Sequence, residues 1–206
     1  MKERSFMPNR FRSALLLAAS LLGIGAFAQQ TMNAPGRVDL AITYNAAYAG
    51  LVQGNRPFWL SGGGGAELSA TAFHGLGVSM HIMGLHTDNT GTGVPLNLVT
   101  TTFGPRYTWN LHRSAKRGVS IFAEGLIGEA HGFGSVFPGL TGPSTHALSF
   151  ASEAGGGADL EISRHFSVRL VEASWLRTQF PNSSLNVQNN LTLGAGFVVH
   201  SGSSSR

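Results

Sequence analysis

The feature that most limits what this chain can become is a two-residue alternation, clearest over residues 185–200 (LNVQNNLTLGAGFVVH). Leu191, Leu193, Ala195, Phe197 and Val199 fall on one face of an extended strand, and Asn190, Thr192, Gly194 and Gly196 on the other. A half-buried strand in water carries charges on its outer face. Here the second face carries amides, hydroxyls and glycines, which suits a crowded wet interior, and the apolar face then needs lipid. Seven earlier segments repeat the pattern. The expectation is an all-β chain, an eight-stranded antiparallel transmembrane up-and-down β-barrel.

Taken in order, the first strand sends Val38, Leu40, Ile42, Tyr44, Ala46 and Tyr48 outward. The second, over about 58–72, is expected to send Leu60, Ala66, Leu68, Ala70 and Ala72 outward and Glu67 inward, with Gly62 to Gly65 bending it. That glycine run is not a phosphate cradle, because no helix start with a lysine follows it. The third strand turns Leu76, Val78, Met80 and Ile82 outward against Ser79 and His81, with His86 facing oppositely to His81. In the fourth, Val99, Phe103 and Trp109 face outward and Arg106 inward, and Pro105 predicts a bulge or strand end. The fifth places Ile121 and Ile127 outward and Glu124 inward. Residues 131–147, rich in Gly, Pro and Ser, read as the longest loop. The sixth turns Leu148, Phe150 and Ile162 outward and Glu153, Asp159 and Glu161 inward. In the seventh, Phe166, Val168 and Leu170 face outward and Arg169 inward, but simple alternation would aim Glu172 at lipid. Either a bulge near Val171 or a rim-exposed Glu172 resolves that conflict.

The links after strands one, three, five and seven are long and polar, whereas those after two, four and six are short. Long external loops alternating with short periplasmic turns are the signature of outer-membrane barrels. An export signal agrees. Lys2, Arg4, Arg10 and Arg12 precede the apolar stretch 13–27, and Ala26-Phe27-Ala28 offers a cleavage site. The expected organisation is a cleavable signal at 1–28, a leader at 29–36, a barrel at 37–200 and a polar tail at 201–206.

Removing the signal takes away four of 14 basic and one of 10 acidic residues, leaving 10 against 9. That near-neutral balance, with no basic patch interleaved with aromatics, removes the reason to invoke nucleic acid. No cysteine is present, so thiol, disulfide and zinc-finger chemistry are closed off. Lys116 is the sole lysine after the signal, which argues against a soluble exported sandwich with charged outer faces. The eight histidines show no HExxH or comparable spacing, so no metal site, cofactor or catalytic residue is expected from motifs.

Eight strands leave a lumen that side chains just fill. The inward acids Asp39, Glu67, Glu124, Glu153, Asp159 and Glu161 and the inward bases Arg106 and Arg169 should therefore pair across the lumen rather than line a wide pore. We expect each arginine to bridge two carboxylates, with Glu124 and Glu153 as partners.

The signal, the eight strands and the segments FGPRYTW (103–109) and ADLEISRHFSVRL (158–170) together resemble the small OmpA-like outer-membrane barrels. The resemblance covers nearly all of 37–200. It implies a monomeric barrel in outer-membrane lipid and lipopolysaccharide, inserted by the barrel-assembly machinery. Two departures stand out. Such barrels end on a terminal aromatic, whereas Phe197 is followed by VVHSGSSSR, and no peptidoglycan-binding domain follows.

Three functional readings follow. The first is a non-enzymatic structural or surface-interaction protein working through loops at 50–57, 86–95, 131–147 and 177–185. The second is a narrow porin-like channel, cation-favouring because of its inward acids. The third is a lipid-modifying enzyme, for which Glu172, Ser174 and His146 are the one trio that can be assembled.

Overall fold

The computed structural model describes residues 37–49, 58–90, 94–113, 118–138, 142–181 and 186–201. The expected signal, leader, first loop and most of the tail lie outside them. Eight strands form: β1 (Arg37–Ala49), β2 (Phe58–Phe73), β3 (Leu76–Thr87), β4 (Leu96–Arg113), β5 (Gly118–Phe137), β6 (Ser144–Ser163), β7 (Phe166–Thr178) and β8 (Gln188–Ser201). Each pairs antiparallel with its sequence neighbours, and β1 pairs with β8 from Val38↔Ser201 to Tyr48↔Leu191. The sheet is a closed antiparallel barrel with no free edge.

Closure satisfies every backbone ladder from within, which is the condition for putting a sheet into hydrocarbon. The outside is accordingly apolar: Leu40, Ile42, Leu68, Ile82, Phe103, Ile127, Leu193 and Phe197 are all exposed. Trp59 and Tyr48 pack together near the loop end, with Trp175 level with them through Leu191. Phe73 and Trp109 are exposed near the turn end. From Val38 to Tyr48 the chain advances ten residues, about 33 Å of strand, or roughly 25 Å along an axis tilted about 40°. That matches the thickness of a lipid-facing band between aromatic girdles.

The β2–β3 turn is two residues long, with both φ angles positive (His74 46°, Gly75 88°), the geometry whose twist suits a tight hairpin. Four sequence expectations need correction. Leu60 is fully buried and faces the lumen, while its neighbour Trp59 faces out. The register of β1 on β2 shifts between Asn45 and Ala47, opposite Gly62 at φ 85°, and this bulge inverts the parity of everything before it. Residues 131–147 are mostly not loop, because β5 and β6 continue as a hairpin to Phe137 and Ser144. Its Gly and Ser content mimics a loop, but paired backbones hold it. Pro105 causes neither a strand end nor a register shift: Val78↔Pro105 lies within an unbroken β3–β4 ladder. The β4–β5 ladder resumes in the same register beyond it, at Arg106↔Glu124. The last strand begins at Gln188 rather than Leu185.

The conflict at Glu172 resolves as a bulge. Leu170 and Val171 both face outward, the β7–β8 register shifts between Arg169 and Glu172, and Glu172 returns to the lumen.

Candidate functional site

Alternation sends every second residue inward, and the barrel stacks these side chains in three tiers. Nearest the loops lies an apolar tier built from the loop-side ends of seven strands and Phe180, two residues beyond β7. It includes Ala47, Leu60, Met83, Leu85, Leu96, Leu98, Phe137, Leu176 and Phe180. Phe137 and Phe180 have ring centroids 5.6 Å apart and close the centre. This plug uses β1 to β7 together, so no single segment announces it.

The middle tier is charged and equally dry. Arg169 is 1% exposed and reaches Glu67 Oε2 at 2.6 Å, Glu172 Oε2 at 2.7 Å, and Asp159 Oδ1 and Oδ2 at 2.9 and 3.3 Å. Arg106 donates to Glu67 Oε1 and, at 3.4 Å, to Glu124 Oε2, with Asp159 Oδ2 3.9 Å from its other terminal nitrogen. Glu67 therefore ties both guanidinium groups together. The guanidinium carbons lie 3.6 Å (Arg106) and 4.4 Å (Arg169) from the Phe122 ring centroid, a cation–π contact that helps hold both cations out of water. Ser79 Oγ donates to Glu124 Oε2 at 2.9 Å.

All six residues singled out from sequence, Arg106, Glu124, Glu153, Arg169, Glu67 and Asp159, are buried in this tier. The pairing differs in two respects. Each arginine reaches three carboxylates rather than two. Glu153 has neither arginine as partner and accepts from Ser174 Oγ at 2.5 Å and Thr102 Oγ1 at 3.1 Å, with His81 Nδ1 3.4 Å away. Cross-lumen distance is set by barrel closure and bulges, and these place Glu153 on the β3 side of the network. Sequence reasoning set His81 aside as an ordinary histidine, although its inward parity was visible. It left Glu172 between a bulge and a rim position, and the bulge brings it into this tier.

The third tier, at the turn end, strings together Ser167, His200, Asp39 and Arg37. Ser167 Oγ lies 2.6 Å from His200 Nε2, and His200 Nδ1 lies 2.8 Å from Asp39 Oδ1. That is the order of a nucleophilic triad. The Arg37 Nη2 atom, however, lies 2.6 and 2.8 Å from the two ring nitrogens, and Arg37 Nε also takes Asp39 Oδ1 at 2.8 Å. Arg37 thus packs against both ring nitrogens, and the string fills the turn-side mouth. An open polar recess beside it is lined by Arg37, Asn110, Ser120, Glu161 and Ser167.

The trio expected for lipid chemistry is not assembled. Ser174 and Glu172 point into the lumen, away from lipid, and His146 is exposed on the β5–β6 hairpin, paired with Phe133.

No family model matches the chain, and no curated protein matches it. Among solved structures, the chain is similar to Ail, the attachment invasion locus protein of Yersinia pestis, in complex with the heparin analogue sucrose octasulfate. That match has 15% identity and a TM-score of 0.49 over 82% of this chain and 100% of that one. It is similar also to Neisserial surface protein A (13% identity, TM-score 0.48, 80% of this chain and 96% of that one). The N-terminal β-barrel domain of Pseudomonas aeruginosa OprF is a third (12% identity, TM-score 0.47, 80% and 97%). These neighbours are small outer-membrane barrels, and the likeness concerns the fold alone; the closed ladder of β1 to β8 is what establishes it here.

Proposed function

We infer that this chain is a monomeric outer-membrane barrel with a structural and surface-facing role, and that its lumen is a core rather than a passage. The observation that carries the reading is the filled interior. An apolar plug at the loop end sits on a buried ion network, and a conducting pore needs neither. The outer apolar band and its girdles suit lipid on all sides and give a reason for insertion by the barrel-assembly machinery.

What the molecule offers beyond the membrane is the β5–β6 hairpin. The β4–β5 ladder stops at Asn97↔Phe133 and the β6–β7 ladder at Ala151↔Thr178, so beyond them β5 and β6 pair only with each other. The register shifts between Phe133 and Phe137, and Phe137 turns back over Gly132 onto Phe180. Val136 and Leu148 are exposed on the hairpin. A hairpin at the loop end with exposed apolar side chains suits contact with molecules outside the cell.

The test is conductance. The mature chain, refolded and inserted in a planar bilayer, is expected to give no defined openings. Reproducible cation-selective steps would sink the filled-lumen reading in favour of the channel.

A further inference from the structure

The geometry points to a binding site for one divalent metal cation of the zinc class inside the lumen, ligated by His81 of β3, Glu153 of β6 and Glu172 of β7. The site goes beyond the surface role proposed above and does not depend on it.

The first ground is charge. Among the described residues, the buried charged groups of the middle tier are five carboxylates (Glu67, Glu124, Glu153, Asp159, Glu172) and two guanidinium groups. Three negative charges are left over in a space sealed by side chains, where an uncompensated carboxylate is very costly. Glu67, Glu124, Asp159 and Glu172 share the two arginines, which leaves two of the three charges among them, and the third falls on Glu153, which touches only hydroxyls and His81.

The second ground is the histidine itself. His81 is 2% exposed, its Nδ1 faces Glu153 Oε2 at 3.4 Å, and its Nε2 has no hydrogen-bond partner. A charge-assisted N–H···O⁻ bond is about 2.7–2.9 Å long, and this contact is longer. Two ligands of one tetrahedral zinc, each with a bond of about 2.0–2.1 Å, lie about 3.4 Å apart. On the other side of the ring, a Cβ added at Gly65 would press on Asn45 Nδ2 and lie 2.8 Å from Thr43 Oγ1 and 3.1 Å from Nε2, so glycine lets these polar atoms pack against the Nε2 side. With the ring proton on Nε2, the Nδ1 lone pair would face the carboxylate, and a cation would have to lie between the two acceptors.

The third ground is the donor set. One ligand atom each from His81, Glu153 and Glu172 lie within 4.8 Å of one another. Glu67, Glu124 and Glu172 approach equally closely, but that set offers oxygen alone and every member contacts an arginine, whereas His81 and Glu153 contact none among the described residues. One imidazole nitrogen with two carboxylates suits a borderline cation over calcium or magnesium, which favour all-oxygen cages. The three residues come from three strands that meet only across the lumen, so no ligand spacing in the sequence marks them.

The experiment uses the mature chain, stripped with chelator, refolded in detergent micelles and titrated with Zn²⁺ against a chelating dye. Bound zinc is counted after gel filtration. One equivalent should be retained with a raised thermal transition. His81→Gln and Glu172→Gln should each weaken binding by at least about tenfold, while His86→Gln, in an exposed pair with Asp88, should leave it unchanged. Zinc at the level of the blank with no thermal shift would overturn the proposal and leave His81 as a protonated partner of Glu153. Undiminished zinc in His81→Gln would overturn it too. If the variants do not refold, Co²⁺ in the wild-type chain decides. Intense visible bands of low-coordinate cobalt support the site, and the spectrum of the aqueous ion refutes it.

Discussion

Replacing Arg169 by methionine tests whether the middle tier holds the barrel together or merely decorates it. Arg169 makes four charge-assisted hydrogen bonds to three carboxylates, at 2.6, 2.7, 2.9 and 3.3 Å. At about 1.5–3 kcal/mol for each bond to a charged group, the gross interaction is roughly 6–12 kcal/mol. The net loss is smaller. Glu67 keeps Arg106, and Asp159 keeps it at 3.9 Å, but Glu172 loses its guanidinium altogether. Water and protons enter the gap, and breaking one partner of a buried ion pair ordinarily costs about 3–5 kcal/mol. That is the expected loss. The sharper expectation concerns sign. Glu67→Gln alone should destabilise by about 1–3 kcal/mol, because both arginines lose part of their shared acceptor. On the Arg169→Met background the same change should stabilise, because it removes one of three carboxylates left facing a single arginine. Equilibrium urea unfolding in lipid vesicles, followed by tryptophan fluorescence, measures all four corners of the cycle. A cost below about 1 kcal/mol for Arg169→Met, or Glu67→Gln destabilising equally in both backgrounds, would refute the reasoning.

Three further changes probe the rest of the molecule. Phe180→Ala should lower unfolding free energy by about 3–5 kcal/mol in the same assay, and adding Phe137→Ala should cost less than the sum, since the two rings share one cavity. Gly125→Ala and Gly128→Ala lie three residues apart on β5 but should separate clearly: a Cβ at Gly125 meets nothing within 4 Å, whereas at Gly128 it presses on the Thr101 carbonyl oxygen. The first should refold with wild-type yield on a heat-modifiability gel, and the second should lose most of its fast-migrating folded band. Ile42→Arg puts a charge midway along β1 on the outer face and should cost about 2–4 kcal/mol in lipid. Undiminished stability there would place that face in water.

How far the sequence could be read follows from how a strand encodes its faces. Alternation is local, so the number of strands, their antiparallel order and the inward parity of Glu67, Glu124, Glu153 and Arg169 are all legible without any structure. Parity breaks wherever a bulge adds a residue, and bulges leave faint marks. One falls at Gly62, inside a run of four glycines that offers no means of choosing among them, and Leu60 is misfaced as a result. The other falls at Leu170 and Val171, both apolar and both content outside, and only the awkward Glu172 hints at it. The hairpin over 131–147 goes unrecognised for a different reason. Beyond the lipid its outer face no longer needs to be apolar, so the periodic signal fades although the ladder continues.

Partnerships across the lumen were the least legible layer. Arg169 and Glu67 stand 102 residues apart and come from β7 and β2, which share no ladder. What brings them together is the stagger of a closed sheet, to which each bulge contributes a step. Had the register of β7 run on without its bulge, Glu172 would face lipid and Arg169 would lose its 2.7 Å partner. The bulge therefore does more than repair one exposed acid. It delivers a fifth carboxylate to a tier that holds two arginines among the described residues, and it brings Glu172 within ligand reach of Glu153 and His81. The local irregularity that defeated the strand pattern is thus the one that creates the lumen's distinctive chemistry, and shifting it should change fold stability and cation affinity together.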